Sequence, residues 1–131
     1  MTFSLENVVR RHFSFLLDDK GFRLGDINRK SDFDFGVHVD MSSDDFRLRI
    51  GGERTREGIV LVSPTFEENW YALPIVQQLL TGKAPAWPGT VGDDAEFIRS
   101  HYAQLRELFQ LENYRAALSA LDKLIEVERA E

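Results

Sequence analysis

The chain has 131 residues and no cysteine. That length suits one domain with its own core. The missing thiols exclude disulfides, thiolate zinc sites and cysteine nucleophiles. Hydrophobic residues at 43%, with ten Phe and two Trp, exclude a wholly disordered chain. A net charge of −6, concentrated in residues 93–131, which carry nine acidic and five basic groups, disfavours a nucleic-acid partner.

Residues 4–22, SLENVVRRHFSFLLDDKGF, predict one helix. Ser4 can cap it, and Val9, Phe13, Leu16 and Leu17 form an apolar stripe at helical spacing. Lys20-Gly21 predicts the stop, because glycine accepts the left-handed backbone. Phe22 and Leu24 are expected to fold back onto the last turn, and residues 25–31 read as a loop.

The period then drops to two. Phe33, Phe35, Val37, Val39 and Met41 alternate with Asp32, Asp34, Gly36, His38 and Asp40, and Phe46, Leu48 and Ile50 alternate with Arg47 and Arg49. These are two strands, each with one buried face. The intervening Ser42-Ser43-Asp44-Asp45 favours a turn. A four-residue loop at 42–45 would pair Met41 with Phe46, Asp40 with Arg47 and His38 with Arg49. The polar face would then be solvated, and an exchange of Arg47 and Arg49 for alanine would leave the fold intact.

Residues 58–64, GIVLVSP, predict a third strand ended by Pro64, and a short fourth is expected near Asn69–Ala72. Leu73–Thr81 predicts a short helix with Pro74 near its start and Gly82 at its stop. Residues 82–92 form a Pro/Gly-rich loop. From Asp93 the chain reads as a helical hairpin, capped by Asp93 or Asp94 and broken at Glu112-Asn113. Phe97, Ile98, Tyr102, Leu105 and Phe109 form the stripe of its first arm; Tyr114, Ala117, Leu118, Leu121, Leu124 and Ile125 form that of its second. The expected fold is therefore one α+β domain over residues 1–131: N-terminal helix, antiparallel meander of three or four strands, short helix and C-terminal helical hairpin on one sheet face.

No chemistry-bearing pattern emerges. His38, Asp40, Asp44 and Asp45 could suggest a metal, but arginines stand opposite, which a cation would not tolerate. His12 and His101 lie beside apolar stripes and read as packed boundary residues. Catalytic serine, zinc-helix, Walker and dinucleotide patterns are all missing. The reading is thus a non-enzyme with no catalytic residue, cofactor or metal. The arginine cluster Arg47, Arg49, Arg54 and Arg56 could hold an anion, but interleaved carboxylates neutralise it. The candidate interaction residues are His38, Asp40, Arg47, Arg49, Trp70 and Trp87. The tryptophans are included because loop Trp residues often anchor interfaces.

Two resemblances follow from particular residues. Tyr114, Ala117 and Leu118 match the "Y-x-x-A-L" core of a tetratricopeptide repeat, but a solenoid needs about three repeats. More of the chain resembles small uncharacterised bacterial proteins, some of them similar to immunity proteins of polymorphic toxin systems. The carriers are Phe13-Ser14-Phe15-Leu16, Lys20-Gly21-Phe22, the charged meander with Arg54 and Arg56, Leu73-Pro74-Ile75 and the closing helical hairpin. This resemblance implies an acidic protein that binds and blocks a toxin.

The leading expectation is a protein-binding module with a protein partner. The alternatives are an anionic-ligand site or enzyme with a pocket between sheet and helices, and a homodimeric structural protein. The N-terminus lacks the apolar core of a signal peptide, and no apolar run approaches about 20 residues. A membrane association is not expected, and the expected compartment is the cytoplasm.

Overall fold

The computed structural model describes residues 5–28, 37–52, 59–83 and 90–130. In chain order these form α1 (Leu5–His12), α2 (Ser14–Asp19), β1 (Arg23–Asn28), β2 (Val37–Ser42), β3 (Arg47–Gly52), β4 (Ile59–Ser63), β5 (Tyr71–Ala72), α3 (Leu73–Thr81), α4 (Val91–Ser100), α5 (Tyr102–Leu108) and α6 (Tyr114–Ala130). The strands make one antiparallel sheet in the order β1-β2-β3-β4-β5. The fold is α+β, as the periodicities predict.

Val39, Met41, Leu48, Ile50, Val60 and Val62 alternate onto one sheet face and are buried. Val9, Phe13 and Leu16 from the N-terminal helices, and Ile98, Leu105, Phe109 and Leu121 from the C-terminal ones, join them in one core. Phe46 sits at an aromatic centre, with ring centroids 5.2 Å from Phe22, 5.4 Å from Tyr102 and 6.3 Å from Phe109. The described apolar side chains of the sheet and the helices thus pack into one continuous core. Among the described residues the buried polar ones are His38 and Ser63. Both alternate onto the opposite sheet face, so no polar group of theirs converges on an internal pocket.

The structure corrects the expected elements in five places. The first helix is two, broken at Phe13, whose φ of −116° and ψ of 7° leave the helical region. His101 breaks the first arm of the C-terminal hairpin in the same way, at φ −117° and ψ 23°. Both breaks let a large ring turn inward or lie against its own helix: Phe13 is fully buried, and His101 stacks on Phe97 at 4.2 Å.

The third correction is β1, where a loop was expected. Gly25 and Asp26 look like turn residues but form a bulge, since Leu24 pairs with Met41 and Ile27 with Val39. A side chain on residue 25 would stand 3.1 Å from the Asp40 carbonyl oxygen, so the glycine permits the close strand approach. Leu24 lies on this edge strand, 44% exposed, and does not fold back; Phe22 does, its N–H donating to the Leu16 carbonyl at 3.1 Å.

Fourth, α4 starts before Asp93. Thr90 is its cap: its hydroxyl accepts from Asp93 N–H at 3.0 Å, and Thr90 N–H in turn donates to Asp93 Oδ2 at 3.4 Å. Asp93 is thus the reciprocal partner of a capping box rather than the cap. Fifth, the β2–β3 register is two residues away from the expected one. Met41 pairs with Leu48, Asp40 with Arg49, and His38 with Gly51. Ser43 N–H donates to the Phe46 carbonyl at 3.2 Å, which tightens the turn onto Asp44-Asp45. An even shift preserves every residue's face, so the core assignment stands while the polar partners change.

Candidate functional site

The second sheet face starts from the alternation of β2 and β3 and carries His38, Asp40, Ser42, Arg47 and Arg49. The register places Arg49 opposite Asp40, and the two form a bidentate pair: Arg49 Nε donates to Asp40 Oδ1 at 2.7 Å and Nη2 to Oδ2 at 2.9 Å. Fork-to-carboxylate geometry of this kind is among the stronger side-chain pairings. The Arg49 guanidinium also lies over the Trp70 ring, 4.2 Å from its centroid. Trp70 Nε1–H donates to Glu68 Oε1 at 2.9 Å, and Glu68 stands 3.7 Å from Arg49 Nη2. His38 Nε2 lies 3.9 Å from Asp40 Oδ1.

Four of the six candidates, His38, Asp40, Arg49 and Trp70, thus assemble into one cluster. It is less open than the sequence implies. His38 is 5% exposed and the Arg49 side chain 12%, so the expectation of a solvated face is corrected. Hairpin pairing shows which residues share a face but not what covers that face. Trp70 lies flat against Arg49 instead of standing out. Trp87, Arg54 and Arg56 lie outside the described residues, as do Asp32, Phe33, Asp34 and Phe35.

Arg47 is directed elsewhere. Its Nη2–H donates to the Thr65 carbonyl at 3.0 Å, and the Thr65 hydroxyl donates to the Ser43 carbonyl at 2.8 Å. These bonds tie the hairpin turn to the segment 64–70, PTFEENW, which joins β4 to β5. Ser63 braces the same segment from inside. Its hydroxyl accepts from Asn69 N–H at 2.9 Å and lies 3.1 Å and 3.2 Å from the carbonyl oxygens of Pro64 and Glu67. Ser63 is fully buried, so these contacts replace its lost hydration. A β-branched apolar run followed by Ser-Pro signals that a strand ends there, not that its serine organises the next seven residues.

The braced segment displays Phe66, 49% exposed, with exposed Glu67 and Glu68 beside it. Phe66 leans on Tyr114 at the start of α6, with ring centroids 5.7 Å apart. At the β5 end, Tyr71 Oη donates to Asp122 Oδ1 of α6 at 2.7 Å. Burial and that carboxylate push the Tyr71 phenol above its ordinary range. The sequence reading missed Phe66 because no periodicity marks a single aromatic in a loop.

The His12 ring packs near Gly92 at the start of α4, where an added side chain would meet it at 3.2 Å. His101 Nδ1 lies 3.2 Å from the Phe97 carbonyl. Among the described residues no group of three or more His, Asp or Glu is placed to hold a metal ion. No helix formed by them is long and apolar enough to cross a membrane. Comparisons with protein-family models, with curated proteins and with solved structures each find no significant match.

Proposed function

We propose that the chain is a non-enzymatic protein-binding module whose contact surface centres on the segment 64–70. The carrying observation is the bracing of that segment by Ser63, Arg47 and Thr65 around a half-exposed Phe66. A loop held in one conformation loses little entropy on binding, and an aromatic on a rigid support is a common interface anchor. Glu67, Glu68 and the net charge of −6 favour a basic partner surface, through steering and complementarity. The resemblance to immunity-type proteins points the same way, with a toxin as the partner.

Affinity capture from the native host tests this reading. The native chain should retain a stoichiometric basic protein, and Phe66→Ser or the double change Glu67→Lys, Glu68→Lys should release it while circular dichroism stays unchanged. Equal retention by these variants would refute the assignment of the surface.

A further inference from the structure

A groove of about 460 Å³ lies at the hairpin end of the sheet, between Arg23, the turn after β2, and Thr65. Its floor follows from the strand register. Arg23 pairs with Ser42 in β1–β2, and Ser42 pairs with Arg47 in β2–β3. Directly opposed residues share a face, so the order Arg23, Ser42, Arg47 runs across three adjacent strands. Strand spacing puts the two arginine backbones about 10 Å apart, with the serine hydroxyl between them. Two long guanidinium side chains from that distance can converge on one bound group.

The charge state of the groove decides what it would hold. Among the described residues Arg23 is in ion-pair contact with no carboxylate. Arg47 spends one donor on the Thr65 carbonyl, and a guanidinium has five. Two carboxylates also line the groove, Asp40 and Asp44. Asp40 already has both oxygens bonded by Arg49, so its charge is compensated. Asp44 is exposed and has no such partner. Two available cations therefore face one uncompensated anion.

We propose that this groove binds a phosphate group, either free or carried on a small molecule. Two guanidinium side chains and the hydroxyl between them in register line the groove, and donors from three residues on three strands suit a tetrahedral oxyanion. The groove volume falls in the range of small-molecule sites. The sequence pointed to Arg49 as an anion ligand as readily as to Arg47; the register assigns Arg49 to Asp40 and brings Arg23 in its place. Arg47 and Thr65 serve both this groove and the bracing of the segment 64–70, whereas Arg23 and Ser42 take no part in that bracing.

Calorimetric titration of the folded chain with inorganic phosphate tests the proposal, with sodium chloride holding ionic strength constant and acetate as the carboxylate arm. Phosphate should bind and acetate should not. Arg23→Gln, on an exposed edge position, and Arg47→Gln should each weaken binding at least about tenfold, as expected for loss of a charge-assisted pair. Asp44→Asn should tighten it, and Arg99→Gln on α4 should leave it unchanged. Glycerol phosphate binding more tightly than phosphate would identify a phosphorylated small molecule, and equal binding would identify the free ion; either supports the site. No phosphate binding beyond matched chloride or acetate would overturn it. So would full affinity in Arg23→Gln, or weaker binding in Asp44→Asn.

Discussion

His38 and Arg49 show how one residue's environment escapes a periodic pattern. Alternation assigns them correctly to the polar face, but burial depends on what lies over that face. Arg49 holds Asp40 through two hydrogen bonds and stacks on Trp70. Its removal leaves a partly covered carboxylate without its partner, which costs more than loss of a surface pair. Arg49→Ala should therefore lower unfolding stability by about 2 kcal/mol in urea titration. Arg47→Ala, which loses one bond to a carbonyl, should cost about 1 kcal/mol. Equal, negligible effects would mean the face is solvated after all.

Asp94 is a second case. Burial, with Asp93 adjacent, raises its carboxyl from 3.8 to about 7. A raised folded-state value means the folded chain holds the proton more tightly than the unfolded chain. The resulting stability is full below pH 3.8 and is lost as pH rises toward about 7. Asp94→Asn keeps the size and removes the charge. Its melting temperature should exceed that of the native chain by more at pH 8 than at pH 4.5. A difference independent of pH would contradict the raised value.

At the scale of elements, capping and turn chemistry set the boundaries that hydrophobic spacing misses. Apolar spacing runs straight through Phe13 and His101, because an apolar stripe records which side is buried and not whether the helix axis continues. Thr90 begins α4 ahead of Asp93 because the Thr90 hydroxyl accepts from Asp93 N–H and the Asp93 carboxylate accepts from Thr90 N–H. Thr90→Ala should cost about 1 kcal/mol, with faster amide exchange confined to the first turn of α4. The hairpin turn is held from the helical layer as well: Tyr102 Oη donates to Asp45 Oδ2 at 2.6 Å, and Arg106 Nε stands 3.3 Å from Oδ1. This tie, with the Ser43 bonds, gives a physical reason for a turn at Asp44-Asp45 instead of 42–45. Long-range partners of that kind have no local signature. Gly25 illustrates the converse: a turn-like dipeptide becomes a bulge because the neighbouring strand comes close enough to require it.

At the scale of the whole molecule, the layer order was legible because the switch from helical to two-residue period is strong. Val39, Met41, Leu48 and Ile50 lie where alternation puts them, and Pro74 and Gly82 bracket α3 as expected. The candidate site was legible only in part. Asp40 and Arg49 share a face, but their pairing needed the register, and the role of Ser63 needed the path of the next seven residues. The packed core directs attention outward, to the rigid segment joining β4 and β5. Ser63→Ala removes the hydroxyl on which three backbone groups of that segment converge. It should lower stability by about 1–3 kcal/mol and weaken partner binding together with it.

Hydrogen–deuterium exchange on the native chain, alone and with its captured partner, distinguishes a partner contact at the segment 64–70 from one elsewhere. New protection should concentrate in residues 64–70 and at the adjoining start of α6 around Tyr114. Protection confined to other segments, with 64–70 exchanging as in the isolated chain, would contradict a contact there.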